Sequence, residues 1–145
     1  FLILCYTICM KENLIHYRTC VCNINYHMVW SVKYRRKILN AEVEAYLQEL
    51  VQEIAEDKGF TVQLFECGEG DHVHCFVSAL PKLSITAIMK YLKGISGRKL
   101  FERFPEIRNQ LWKGELWNHS YYVEMVGSVS EENIRRYIEH QSKAY

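Results

Sequence analysis

Two apolar runs, residues 60–67 and 72–80, are separated by only four residues, Gly68, Glu69, Gly70 and Asp71. A connection that short cannot carry a crossover, so the runs must fold back on each other as an antiparallel hairpin, and the two glycines suit the tight turn. Pro81 ends the second run. Any fold for this chain has to be built around that hairpin.

The flanking segments restrict the choice further. Residues 19–32 are rich in β-branched and aromatic side chains and read as a first strand, ending in a basic turn at 33–37. Asn40 can cap a helix whose apolar stripe is Val43, Leu47, Leu50, Val51 and Ile54, with Gly59 as its stop. Ser84 can cap a second helix with Ile85, Ile88, Met89, Leu92 and Ile95 inward, open to a break near Gly94 or Gly97 and finished before Pro105. Residues 105–116 read as a polar and aromatic loop carrying Trp112 and Lys113, and 117–126 as a fourth strand. Ser128 and Glu131 have capping-box spacing and open a last helix, with Ile134, Tyr137, Ile138 and Gln141 on a shared side. Strand, helix, strand, strand, helix, strand predicts an α+β, ferredoxin-like (RRM-like) antiparallel sheet with two helices on one face, plus a C-terminal helix. That fold hosts metal-binding, RNA-binding and catalytic proteins, so it does not select a function.

The chain has 145 residues, 49% of them apolar, and only two prolines, which fits one domain at 17–145. Residues 1–16 read as an N-terminal extension that is not necessarily native, since Phe1 opens the chain and Met10 precedes Lys11, Glu12 and Asn13. The apolar stretch 1–10 is shorter than a membrane span needs and lacks the basic start and small-residue cleavage site of a signal peptide, so a cytoplasmic protein with no membrane segment is expected. Cys20, Cys22, Cys67 and Cys75 lie in strand-like runs and read as reduced thiols; Cys20 and Cys22 alone make a weak zinc signal.

Charge is segregated. Residues 40–57 hold six acids and no Lys or Arg, so elsewhere 18 basic side chains face eleven acids. The excess gathers at Lys33, Arg35, Arg36 and Lys37, and again at Lys82, Lys90, Lys93, Arg98, Lys99 and Arg103, with Trp30, Tyr34, Tyr91, Phe101 and Phe104 nearby. Lys and Arg neutralise phosphates and rings stack on bases, so both clusters are candidates for nucleic-acid contact, Lys33, Arg35, Arg36, Lys37, Lys90, Lys93, Arg98 and Lys99 first among them. Solvated helix faces can carry the same charges.

His72 and His74 flank Val73. A period of two puts both imidazoles on one strand face, ~7 Å apart along it, where they can converge on one metal ion, with Val73 turned to the core. Exposed or core-rim histidines would show the same spacing. Tyr137 and Gln141 stand one turn apart on the last helix, a phenolic nucleophile beside an amide oxygen, or equally a core-edge residue beside a solvated one.

Taken together, His-x-His on a central strand followed by Tyr-x-x-x-Gln on a terminal helix resembles the HUH single-tyrosine transposases, the TnpA-type, IS200-like enzymes of the smallest bacterial and archaeal insertion sequences. The resemblance spans nearly all of residues 17–143. It includes Tyr26, His27, Met28, Val29 and Trp30 running into Lys33, Tyr34, Arg35, Arg36 and Lys37; Gly70, Asp71, His72, Val73 and His74; Leu116 and Trp117 before Tyr121, Tyr122 and Val123; and residues 134–141. It implies that His72, His74 and Gln141 bind a divalent metal, Mg or Mn, and that Tyr137 attacks single-stranded DNA with hairpin ends, forming a 5′-phosphotyrosine. It also implies a homodimer with one merged sheet, each active site pairing the histidines of one chain with the tyrosine of the other. Two other readings fit the residues: a non-catalytic RNA- or DNA-binding module, which would need neither Tyr137 nor Gln141, and a metal-dependent phosphodiesterase, which would use water and leave no covalent adduct.

Overall fold

A computed structural model gives the fold of residues 14–111 and 114–126. The chain begins there with a small antiparallel pair, β1 (Ile15–Tyr17) and β2 (Cys20–Cys22). Next come β3 (Ile24–Ser31), a short 3-10 turn (Lys33–Arg35), α1 (Ala41–Lys58), β4 (Thr61–Gly68), β5 (His72–Ala79), α2 (Ile85–Arg103), α3 (Pro105–Arg108) and β6 (Tyr122–Val126). Four of the strands form one antiparallel sheet in the order β4, β5, β3, β6. This is the α+β arrangement expected from the order of elements, with both helical connections crossing between strands that are not neighbours.

Local signals set the boundaries of most elements. The Asn40 side chain accepts from the backbone N–H of Val43 at 3.0 Å, and α1 ends at Gly59, whose φ of 81° is left-handed. Ser84 caps α2 in the same way, accepting from Ala87 N–H at 3.1 Å. Between β4 and β5, Glu69 and Gly70 both have positive φ, 52° and 73°, and Asp71 N–H returns to Gly68 O at 3.2 Å. Gly68 pairs with His72, so the loop has three residues, and the left-handed pair Glu69 and Gly70 reverses the chain within it.

Three expectations are corrected. Residues 19–32 do not make one strand: the run breaks at Asn23, so that β2 pairs with β1 while β3 enters the large sheet. α2 runs unbroken through Gly94 and Gly97, and the segment after it contains α3 rather than loop alone. The fourth strand is shorter than 117–126. Trp117 forms only an isolated bridge with Val32, and its indole docks on α2, donating to Ser96 Oγ at 2.9 Å.

One sheet face carries the core. Met28, Trp30, Val62, Phe65, Val73, Cys75, Val77 and Ala79 pack with Val43, Leu47, Leu50, Val51 and Ile54 of α1 and Ile88, Met89, Leu92 and Leu100 of α2 in one cluster. Both apolar stripes read from the sequence meet there, with Ile85 and Ile95 at its margin. Cys20, Cys22, Cys67 and Cys75 are free thiols, as expected. Burial pushes the Cys67 thiol up to about 12 and Cys75 higher still, so neither is a thiolate at neutral pH. Among the described residues no helix is long and apolar enough to cross a membrane.

Candidate functional site

The opposite sheet face is polar. Register places Asn25, His27, Val29 and Ser31 of β3 directly across from Ser78, Phe76, His74 and His72 of β5. Cross-strand partners share a face, so His27, His72 and His74 stand together while Val73, fully buried, points into the core as expected. The ring centroids of His72 and His74 are 5.1 Å apart, and those of His74 and His27 are 5.3 Å apart.

Each of the two paired imidazoles has its Nδ1 engaged. His72 Nδ1 lies 2.7 Å from Asp71 Oδ1. Asp71 is itself buried, and its other oxygen is 3.3 Å from Arg35 Nε. Arg35 reaches back because Tyr34 and Arg35 are both left-handed, with φ of 60° and 53°, an uncommon conformation for two successive non-glycine residues. His74 Nδ1 lies 3.0 Å from His27 Nε2. His27 is fully buried and stacked on Phe76, ring centroids 4.6 Å apart and planes within 12°.

Gly68, opposite His72 on β4, makes room for its ring: a Cβ there would stand 2.3 Å from His72 Nε2. Burial, seconded by the positive charge that His27 and His72 would carry, pushes His74 down to about 4. Burial lowers His27 also, against a smaller opposing pull from Glu124. Both are therefore neutral at pH 7, the state in which an imidazole nitrogen can donate a lone pair. Imidazole nitrogens suit a divalent cation, but among the described residues no group of three or more His, Cys, Asp or Glu side chains is arranged to hold one. Another donor is required. Tyr137 and Gln141, with all of the last helix expected from the sequence, lie outside the described residues, as do residues 1–13, Trp112 and Lys113.

Asp71 and His27 carried no role in the sequence reading. Asp71 adjoins the His-x-His pair and could have been suspected as its carboxylate; His27 could not, because only register brings it to His74. Tyr121 and Tyr122 are both exposed.

The basic residues divide. Lys33 pairs with Glu115, which holds its ammonium above the usual lysine range, and its backbone N–H donates to Leu116 O at 2.8 Å. Lys93 donates to Asn118 O and His119 O at 2.6 and 3.1 Å. These two lysines thus tie down the segment before β6. Lys37 donates to Glu69 O at 3.3 Å. Arg36, Lys90 and Arg98 are exposed and Lys99 is half-buried.

Comparison with known proteins adds a separate line. The family model described as "Transposase IS200 like" matches residues 20–141. The ISDra2 transposase TnpA of Deinococcus radiodurans is 39% identical over 121 residues, covering 83% of this chain and 86% of that protein. The transposase for insertion sequence element IS200 of Salmonella typhimurium is 34% identical over 119 residues, covering 82% and 77%. A Deinococcus radiodurans R1 chain, crystallised as a candidate transposase, superposes with a TM-score of 0.72 at 35% identity, over 88% of this chain and 97% of that one. The REP-associated tyrosine transposase bound to a REP hairpin shares the fold at 11% identity, with a TM-score of 0.56 over 86% and 67% of the two chains.

Proposed function

This chain belongs to the IS200-like transposase family, and from that premise we propose that it cleaves and rejoins single-stranded DNA at hairpin ends through a covalent bond to Tyr137. The observation that carries the reading is the placement of His72 and His74 side by side on β5, each with Nδ1 already engaged, beside a family match that extends through Tyr137 and Gln141. The fold neighbour was solved bound to a REP hairpin, which makes a hairpin the form of partner to test.

In the proposed reaction the phenolic oxygen of Tyr137 forms a bond to phosphorus in line with the bond that breaks, from phosphorus to the 3′ oxygen. The products are a 5′-phosphotyrosine and a 3′-OH. The phenolic proton must leave, since a free phenol titrates near 10. Because one ester is exchanged for another, the enzyme can rejoin strands without ATP. His72, His74 and Gln141 would hold a divalent cation, Mg²⁺ or Mn²⁺, which when bound supplies positive charge at the scissile phosphate. A nitrogen and amide-oxygen set suits those ions better than a thiolate-type zinc site, and Mn²⁺ tolerates imidazole better than Mg²⁺ does. Arg35, Arg36, Lys37, Lys90, Arg98 and Lys99, with Lys33 and Lys93 at the margin, would neutralise backbone phosphates. Two chains would form the working unit, the histidines of one paired with the tyrosine of the other.

The test is incubation of the full chain with single-stranded oligonucleotides from the element's ends, in Mn²⁺ or Mg²⁺, followed by denaturing electrophoresis. A covalent protein–DNA band that vanishes in Tyr137→Phe, while binding persists, is the expected result. Cleavage without any adduct would favour a phosphodiesterase using water; binding without cleavage would favour a binding module.

A further inference from the structure

We propose that His27 is a positioning residue of the site: its Nε2 accepts the Nδ1–H of His74 and thereby presents His74 Nε2, as a bare lone pair, to the cation. The role rests on the metal reading above and deepens it.

Two ring nitrogens 3.0 Å apart must share one proton. If His27 donated it, the proton of His74 would sit on Nε2 and that nitrogen could not ligate. If His74 donates, its Nε2 is bare. His72 reaches the same state by a simpler route. The Asp71 carboxylate 2.7 Å away, itself held by Arg35, can only accept when ionised, so the neutral ring of His72 carries its proton on Nδ1 and leaves Nε2 bare. The two histidines of the pair are thus oriented by different acceptors, a carboxylate for one and an imidazole for the other.

The choice of imidazole at position 27 follows from its surroundings. His27 is fully buried on a central strand and stacks on Phe76 at 4.6 Å. A carboxylate there would be a buried charge, whereas a neutral ring accepts a hydrogen bond, fills the same space and presents a flat face to the phenyl group. Phe76 lies directly across the β3–β5 ladder from His27, so sheet register itself fixes the angle at which His27 meets His74. Metal-bound histidines generally donate their second nitrogen to such an acceptor, and loss of the acceptor costs 10–100-fold in metal affinity.

The experiment uses the full chain labelled with ¹⁵N-histidine and freed of metal. Long-range ¹H–¹⁵N correlations report each tautomer, and titration with Mn²⁺ alone, followed by water-proton relaxation, reports affinity. Expected is the Nδ1–H tautomer at His74. In His27→Phe, which keeps a stacking ring and removes the acceptor, Mn²⁺ affinity should fall roughly 10–100-fold. His27→Gln, whose amide oxygen can accept in its place, should restore most of that loss. An Nε2–H tautomer at His74 in the wild type overturns the assignment, as does undiminished Mn²⁺ affinity in His27→Phe. The tautomer measurement needs no substitution, so it decides even if a variant fails to fold. Wild-type protein that has the expected tautomer yet binds no Mn²⁺ would sink the metal reading itself, and the role of His27 with it.

Discussion

An alanine at position 68 would put its Cβ 2.3 Å from His72 Nε2 and 2.5 Å from Cε1. Gly68 has no positive φ, so its backbone would accept the substitution, and the imidazole must move. Moving a side-chain end costs little stability, about 1 kcal/mol or less. It also breaks the 2.7 Å contact to Asp71 that orients the ring. Gly68→Ala is therefore expected to melt near the wild type yet lose at least about tenfold in covalent-adduct formation; unchanged adduct yield would show that the ring position at Gly68 is immaterial. His74 gives a prediction in pH. Its folded pKa of about 4 lies below the ordinary value of 6.5, so the unfolded chain binds a proton that the folded chain refuses. Stability from this group is present above pH 6.5 and is lost as pH falls toward 4. Between pH 7 and pH 5 the loss comes to about 2 kcal/mol, as an order of magnitude. Urea melts of the metal-free protein should show a shallower decline in His74→Phe than in the wild type, and parallel declines would refute the shift. His72 and His74 were legible in the sequence because period two is a property of any strand. His27 was not, because its meeting with His74 depends on which residue of β3 lies across from which residue of β5, and no local pattern encodes that.

At the scale of elements, the signals that were read correctly are local ones. Asn40 and Ser84 are side-chain caps whose bonds close within three residues, and the Gly68 to Asp71 turn closes within four. The misread segments are those settled by distant partners. Residues 19–32 look uniformly strand-like, yet β2 and β3 belong to different sheets, and nothing in β-branched content tells one sheet from another. Trp117 looked like the start of the last strand, but α2 claims it: Ser96 is fully buried and accepts from the indole, whose edge packs beside Gly97. A donor buried against α2 needs its acceptor. Ser96→Ala should thus cost about 1–3 kcal/mol through the stranded indole N–H, and chemical denaturation is the measurement. A loss within error would mean that water replaces the hydroxyl. Because the segment before β6 is also held by Lys33 and Lys93, the same variant should loosen residues 114–119 in hydrogen exchange before it affects β4 or β5.

For the whole molecule, the question is whether one chain suffices. Among the described residues the large sheet ends at β4 on one side and at β6 on the other, and β6 carries Met125, 73% exposed, and Tyr122, 50% exposed. An edge strand with apolar side chains in water is a surface that proteins normally cover or pair. The proposed dimer would continue the sheet and bring Tyr137 of one chain to His72 and His74 of the other. That geometry makes a strong demand on mixtures of inactive chains. A Tyr137→Phe chain keeps its histidines and lacks a nucleophile; a His72→Ala chain keeps its tyrosine and lacks a donor. If sites are shared between chains, a heterodimer has one site with both defects and one with neither, and the intact site should cleave. With equal amounts and random pairing, about half the dimers are mixed and each holds one intact site of two, so adduct formation should recover to roughly a quarter of the wild-type level. If each site were built within one chain, every site in every dimer would keep its single defect and the mixture would stay inactive. The two outcomes are far apart, and light scattering on the same samples establishes that dimers are present. Inactivity in a mixture shown to contain heterodimers would place Tyr137 and the His72–His74 pair in the same chain.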